Sequence, residues 1–155
     1  MKTDTRNPVI LIADDDPDDQ LLIQEAFAER CANCQLCFVA NGVELMGYLR
    51  GAAPESELST DCPLPDLLLL DLNMPLKDGR QALLEIRADP ALRELPTIVL
   101  TTSGNDEDKA FCLAQGANDY IVKPSRYTEL LTIVTSLKIY CNTSAMQQPD
   151  SDNNA

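Results

Sequence analysis

Short runs that are apolar at every position alternate along this chain with longer stretches of helical period. Val9-Ile10-Leu11-Ile12-Ala13 is one such run, and Leu67-Leu68-Leu69-Leu70, set between Pro65 and Pro75, is another. Runs this short and this uniformly apolar predict strands buried on both faces, as in a parallel sheet. Gln35 to Ala40, Pro96 to Leu100 and Asn118 to Val122 predict three more strands. Between the runs, apolar residues return at helical spacing: Leu22, Ile23, Ala26 and Phe27, then Val43, Met46 and Leu49, then Ala82, Leu83 and Ile86. A fourth helix is predicted from Asp106 to Gln115, and a fifth carries Leu130, Leu131, Ile133, Val134 and Leu137.

End signals agree with these helices. Asp16 precedes Pro17, a good first helical residue, and Asp18 and Asp19 sit where a helix dipole favours negative charge. That helix ends near Arg30. Asn41 and Glu44 have the spacing of an N-cap with a reciprocal acid, and Gly116 suits a C-terminal cap.

Strand and helix in strict alternation imply an α/β fold with right-handed crossovers. The arrangement predicted is a doubly wound, flavodoxin-like sheet of five parallel strands in the order 2-1-3-4-5, with helices on both faces. The domain is expected over residues 9–141, after a short N-terminal tail at 1–8. Residues 51–65 predict an extended loop suited to partner contact, and the polar stretch 142–155 a disordered tail.

Composition narrows the function. A net charge of -13 argues against nucleic acid and anionic membranes as partners and favours a protein. No apolar run approaches the ~20 residues of a membrane span, and Met1 to Pro8 lacks a signal-peptide pattern, so a cytoplasmic location is expected. The chain has no histidine, which excludes Ser-His-Asp and Cys-His catalysis and any role as a histidine kinase or histidine phosphotransfer domain. Its six cysteines include Cys31, Cys34 and Cys37, spaced like part of an iron–sulfur run that lacks its closing Cys-Pro. Packed or loop thiols, reduced, are the expectation.

Candidate chemistry gathers at the carboxyl ends of the strands. The first strand ends in Asp14 and Asp15, the third in Asp71, the fourth in Thr101 and the fifth in Lys123. In a 2-1-3-4-5 sheet these ends open onto one crevice at the switch point. Taken singly, each residue has an ordinary structural explanation: cap, Asx turn, strand end or exposed turn. Their joint placement is what points to a site. Clustered carboxylates need a proton or a cation between them, and hard oxygen donors favour Mg2+. Asp71 is then a nucleophile that can take a phosphoryl group, with Thr101 and Lys123 to bind its oxygens.

Asp14-Asp15, Asp71 with Asn73-Met74-Pro75 and Gly79, Thr101, Tyr120 and Lys123-Pro124 resemble the motif set of two-component response-regulator receiver domains. Thr101 lies 30 residues after Asp71, and Lys123 a further 22, as in that family. Leu72 to Arg80, together with Leu100 to Ser103, most resemble the stand-alone regulators paired with bacterial phytochrome kinases. The resemblance implies that Asp71 accepts phosphate from a sensor histidine kinase, a phytochrome among the candidates. It implies Mg2+ bound by Asp15 directly, by Asp14 through water, by Asp71 and by the Asn73 carbonyl. It also implies a cis Lys123–Pro124 bond and a switch in which Thr101 moves and Tyr120 reorients. Asn73 and Ser103 are implied to set the rate of phosphate loss. Output then passes to an unknown downstream protein or a second copy, through the face of the fourth helix, fifth strand and fifth helix.

Such a protein is not an enzyme beyond its own phosphorylation and slow dephosphorylation. A phosphatase of the haloacid dehalogenase kind is the alternative, but it needs an acid where Asn73 stands. A nucleotide or flavin module lacks its phosphate loop here. A receiver working by contact alone is the remaining alternative.

Overall fold

A computed structural model describes residues 7–51 and 64–141. The predicted tails, apart from Asn7 and Pro8, and residues 52–63 of the predicted loop lie outside the described residues. The strands are β1 (Val9–Ala13), β2 (Gln35–Val39), β3 (Leu67–Leu70), β4 (Thr97–Thr101) and β5 (Asp119–Val122). The helices are α1 (Pro17–Arg30), α2 (Gly42–Gly51), α3 (Gly79–Ala88), α4 (Asp106–Ala114) and α5 (Tyr127–Cys141). All strand pairs are parallel, in the order β2-β1-β3-β4-β5. This is the expected doubly wound sheet.

Strand alternation sends neighbouring residues into two separate cores. Leu11, Ala13, Leu68, Leu70 and Val99 face a layer containing Leu45, Met46 and Leu49 of α2 and Ala82, Leu83 and Ile86 of α3. Ile10, Ile12, Leu67, Leu69 and Ile98 face Ile23, Ala26 and Phe27 of α1 and Leu130, Leu131, Val134 and Leu137 of α5. β1, β3 and β4 are buried at every position. Each leucine of β3 removed from water contributes about 1.5–3 kcal/mol, so this strand anchors the fold.

Two helix faces differ from expectation. Val43 is exposed and Leu45 takes the core position in α2, while Leu22 of α1 also faces outward. The predicted caps form: Asp16 accepts from the Asp18 N–H, Asn41 from Glu44 N–H at 2.8 Å, and Glu44 in return accepts from Ala40 N–H at 2.8 Å. Gly116 closes α4 with φ of +93°, a region a side chain rarely adopts.

The cysteines depart from the expectation of reduced thiols. The turn after α1, closed by the Cys34 N–H on the Cys31 carbonyl, brings the two Cα atoms to 5.6 Å, and the side chains form a disulfide. Cys37 lies beyond reach of this pair: it packs against the α2–α3 core, whereas Cys31 and Cys34 belong to the α1–α5 side. Alternation in β2 thus keeps Cys31, Cys34 and Cys37 from forming one cluster.

Candidate functional site

Each strand end delivers one part of the site. Asp14 continues β1, and its N–H donates to the Val39 carbonyl at 3.0 Å; Asp71 continues β3, and its N–H donates to the Ala13 carbonyl at 3.0 Å. These extensions of the sheet ladder hold both carboxylates in place. Asp14 is 2% exposed and Asp71 5%. Asp15, the next residue, is exposed. One oxygen from each of Asp14, Asp15 and Asp71 lies within 4.8 Å of the others.

Lys123, just past β5, brings the amine. Its Nζ lies 2.8 Å from Asp14, 3.1 Å from Asp71 and 2.5 Å from Asp19. Burial alone works against the ammonium, but the bonds to Asp14 and Asp19 outweigh it and hold Lys123 above the usual lysine range. For Asp14 the balance is reversed: burial raises its carboxyl, and Lys123 and the Asp16 N–H offset this only in part. Charge at Asp14 is therefore under pressure that a cation relieves. The donors are hard carboxylate oxygens without thiolate or imidazole, a set that fits Mg2+ or Mn2+.

The Lys123–Pro124 bond is trans, contrary to expectation, since no peptide bond among the described residues is cis. The amine reaches all three carboxylates with the bond in its lower-energy form.

The loop after Asp71 is tightly built. Asn73 N–H donates to Asp71 Oδ1 at 3.2 Å, and Gly79 N–H to the Leu72 carbonyl at 2.9 Å. A Cβ on Gly79 would overlap the Asp71 carbonyl oxygen, so α3 can start against the acceptor loop only with glycine there. Between them Leu76 has φ of +70°, and Lys77 N–H returns to the Pro75 carbonyl at 2.8 Å. This is a strained three-residue turn, of the kind found near working sites, with Leu76 standing out in solvent.

Thr101 is fully buried at the end of β4. Its hydroxyl oxygen faces the Ser103 N–H at 3.4 Å, and Tyr120 of β5 donates its hydroxyl to the Ser103 carbonyl at 2.7 Å. Burial raises the Tyr120 phenol, which stays protonated and donating at neutral pH.

The structure thus gathers Asp14, Asp15, Asp71 and Lys123 in one cluster, with Asn73 beside it. Thr101 and Tyr120 meet through Ser103 at its rim. Asp19 is the residue that sequence reasoning assigned elsewhere. Its position in the first turn of α1 reads as a dipole residue, and only the fold shows it on Lys123, 104 residues away. Arg80 and Asp108 were missed as well; Arg80 donates to both Asp108 oxygens at 2.8 and 2.7 Å across the α3–α4 boundary. No helix among the described residues is long and apolar enough to cross a membrane.

Known proteins share this fold. Residues 10–135 match the family described as Response regulator receiver domain. Response regulator Rcp1 of Synechocystis sp. is 35% identical over 140 residues, covering 89% of this chain and 92% of that protein. The crystal structure of the phosphorylated cyanobacterial phytochrome response regulator RcpA is 38% identical with a TM-score of 0.77, covering 87% of this chain and 94% of that one. The Mn2+-bound form of Rcp1 superposes with a TM-score of 0.74 at 32% identity, over 85% of this chain and 92% of that one. The sheet order, the strand-end carboxylates and these likenesses agree, and the chain belongs to the response-regulator receiver family.

Proposed function

We propose that the protein accepts a phosphoryl group on Asp71 from a phosphohistidine of a sensor kinase, with Mg2+ bound, and signals through changed protein contacts. The observation that carries this reading is the convergence of Asp14, Asp15 and Asp71 on the amine of Lys123 at the switch point of the sheet. In the transfer an Asp71 carboxylate oxygen attacks phosphorus, the new O–P bond forms as the histidine N–P bond breaks, and the departing imidazole takes up a proton. Mg2+, when bound, would supply positive charge against the phosphoryl oxygens. Asp14, Asp15, Asp71 and the Asn73 carbonyl would hold it, a reading supported by the three carboxylate oxygens lying within 4.8 Å of one another. Lys123 pairs with the phosphoryl group as a point charge, and Thr101 gives it a hydroxyl donor. The reaction is on the protein itself, so the chain is a signalling protein rather than an enzyme.

The relatives support a phytochrome-type kinase as the donor, since one is named a phytochrome response regulator. An open groove beside Lys123, lined by Leu22, Pro124 and Tyr127, lies next to the acceptor and suits a kinase helix. For output, exposed Leu113, Val122 and Ile139 place apolar groups on α4, β5 and α5, and we propose this face for a second copy or a downstream protein.

The test is intact mass after treatment with acetyl phosphate and Mg2+. Wild type is expected to gain one phosphoryl group, with no gain in Asp71→Asn or without Mg2+. The same samples in sedimentation velocity, beside Ile139→Glu, test the output face. Gain in Asp71→Asn equal to wild type would remove Asp71 from its role, and an Ile139→Glu protein with unchanged self-association and partner binding would remove the face.

A further inference from the structure

At the rim of the site one chain of contacts joins a fixed element to the exposed loop between β4 and α4. The fixed element is the start of α3, seated through Gly79 on the backbone of Asp71 and Leu72. Arg80 follows directly, and its guanidinium grips both oxygens of Asp108 in the first turn of α4. Asp108 also accepts the Ser103 hydroxyl at 2.7 Å. Ser103 in turn carries Tyr120 on its carbonyl and faces Thr101 through its N–H. Beside it Thr102 and Gly104 are exposed, and a Cβ on Gly104 would meet nothing. The loop between β4 and α4 is thus pinned at Ser103, and Asp108 holds the pin.

We infer that Arg80 and Asp108 are positioning residues of the phosphoryl switch: by holding Ser103 they keep the β4–α4 loop where the Thr101 hydroxyl faces Ser103 instead of Asp71. This rests on Asp71 being the phosphoryl acceptor. Drawing Thr101 toward a phosphoryl group stretches a Ser103 contact that is already long, so Ser103 must follow, and the Asp108 bond resists. A ligand shifts two states only by the difference in what it gains in each. The clamp strengthens the resting state, and its free energy is subtracted from phosphoryl binding. Hydrogen bonding by Arg80 and Ser103 holds the Asp108 carboxyl down to about 2, so the clamp is charged at any physiological pH.

The experiment is calorimetric titration of the full chain with beryllofluoride, a phosphoryl analogue, at fixed Mg2+. Wild type is compared with Arg80→Gln, Asp108→Asn, the double variant, Arg80→Lys and Ser103→Ala. Each single loss is expected to tighten binding about fivefold, the low end of ordinary coupling between sites. The double variant should gain no more than either single change, because all cut one chain of contacts. Arg80→Lys keeps the charge without the fork and should fall between. Ser103→Ala cuts the same link while leaving the ion pair that joins the helices, so it serves where the charge variants fold poorly. Equal or weaker binding in Ser103→Ala and the charge variants, with wild type binding normally, overturns the clamp alone. Failure of wild type to bind, matched by Asp71→Asn, overturns the phosphoryl site and the clamp together.

Discussion

At the amino ends of the strands, polar side chains are spent on backbone. Asp66 accepts the Val9 N–H at 2.7 Å, Asn118 accepts the Thr97 N–H at 2.8 Å, and the Thr97 hydroxyl donates to the Leu95 carbonyl at 3.0 Å. Arg87 donates to the carbonyls of Gln115, Arg93, Leu95 and Gly116, tying α3 to the turns that lead into β4 and β5. At the carboxyl ends, Asp14, Asp19 and Asp71 share the single amine of Lys123. One end spreads its bonds over neutral partners; the other concentrates like charge around one cation. Buried polarity alone therefore does not mark function in this fold. What marks it is charge gathered beyond the means of its neighbours to neutralise it.

The comparison makes opposite predictions for substitutions at the two ends. The largest expected effect is at Arg87. Arg87→Met keeps the apolar stem of the side chain and loses the carbonyl bonds, and should destabilise by about 2–3 kcal/mol, as loss of hydrogen bonds to charged groups does. Urea unfolding reads this, and phosphoryl uptake by the folded fraction should match wild type. If stability were unchanged, the amino end would not be the structural end.

Asp14→Asn should act the other way. Because burial raises the Asp14 carboxyl, its charge at neutral pH costs the folded state; an amide removes that cost and still accepts from the Asp16 N–H, giving up the bond from Lys123, whose amine keeps Asp19 and Asp71. Without Mg2+ the variant is expected to gain about 1 kcal/mol, a usual size where a working site trades stability for function. Phosphoryl uptake with Mg2+ should fall steeply. Loss of stability comparable to Arg87→Met would make the two ends alike.

Legibility in the sequence followed how local each feature is. β1, β3 and β4 could be read because burial on both faces leaves an unbroken apolar run, and Asp14, Asp71, Thr101 and Lys123 because each ends or follows a predicted strand. The faces of α1 and α2 were harder: period alone admits Leu22 and Val43, and only docking on the sheet turns them outward in favour of Ile23 and Leu45. Asp19 and Arg80 were invisible as site residues, for their partners come from other elements, Lys123 and Asp108. The disulfide was concealed by a different cause, since whether two nearby thiols join depends on a turn that spacing does not specify.

The smallest expected effect concerns acid, at the boundary between the two kinds of polar residue. Asp108 faces Arg80 and Ser103, with Cys112 of its own helix nearby, and burial pushes that thiol up to about 11, leaving it neutral. The Asp108 carboxyl itself is held down to about 2 from 3.8. A carboxyl lowered in the folded state contributes stability above its unfolded value and loses it as pH falls through the folded one. The unfolded chain takes up the proton first, so wild type should lose this contribution between about pH 4 and pH 2. Arg80→Gln lacks most of the cause and has less to lose. The difference in urea midpoint between wild type and Arg80→Gln should thus be level from pH 7 to 5 and narrow between pH 4 and 3. A difference independent of pH would mean that Arg80 stabilises the α3–α4 boundary by packing its stem, and that Asp108 is held to Ser103 without it.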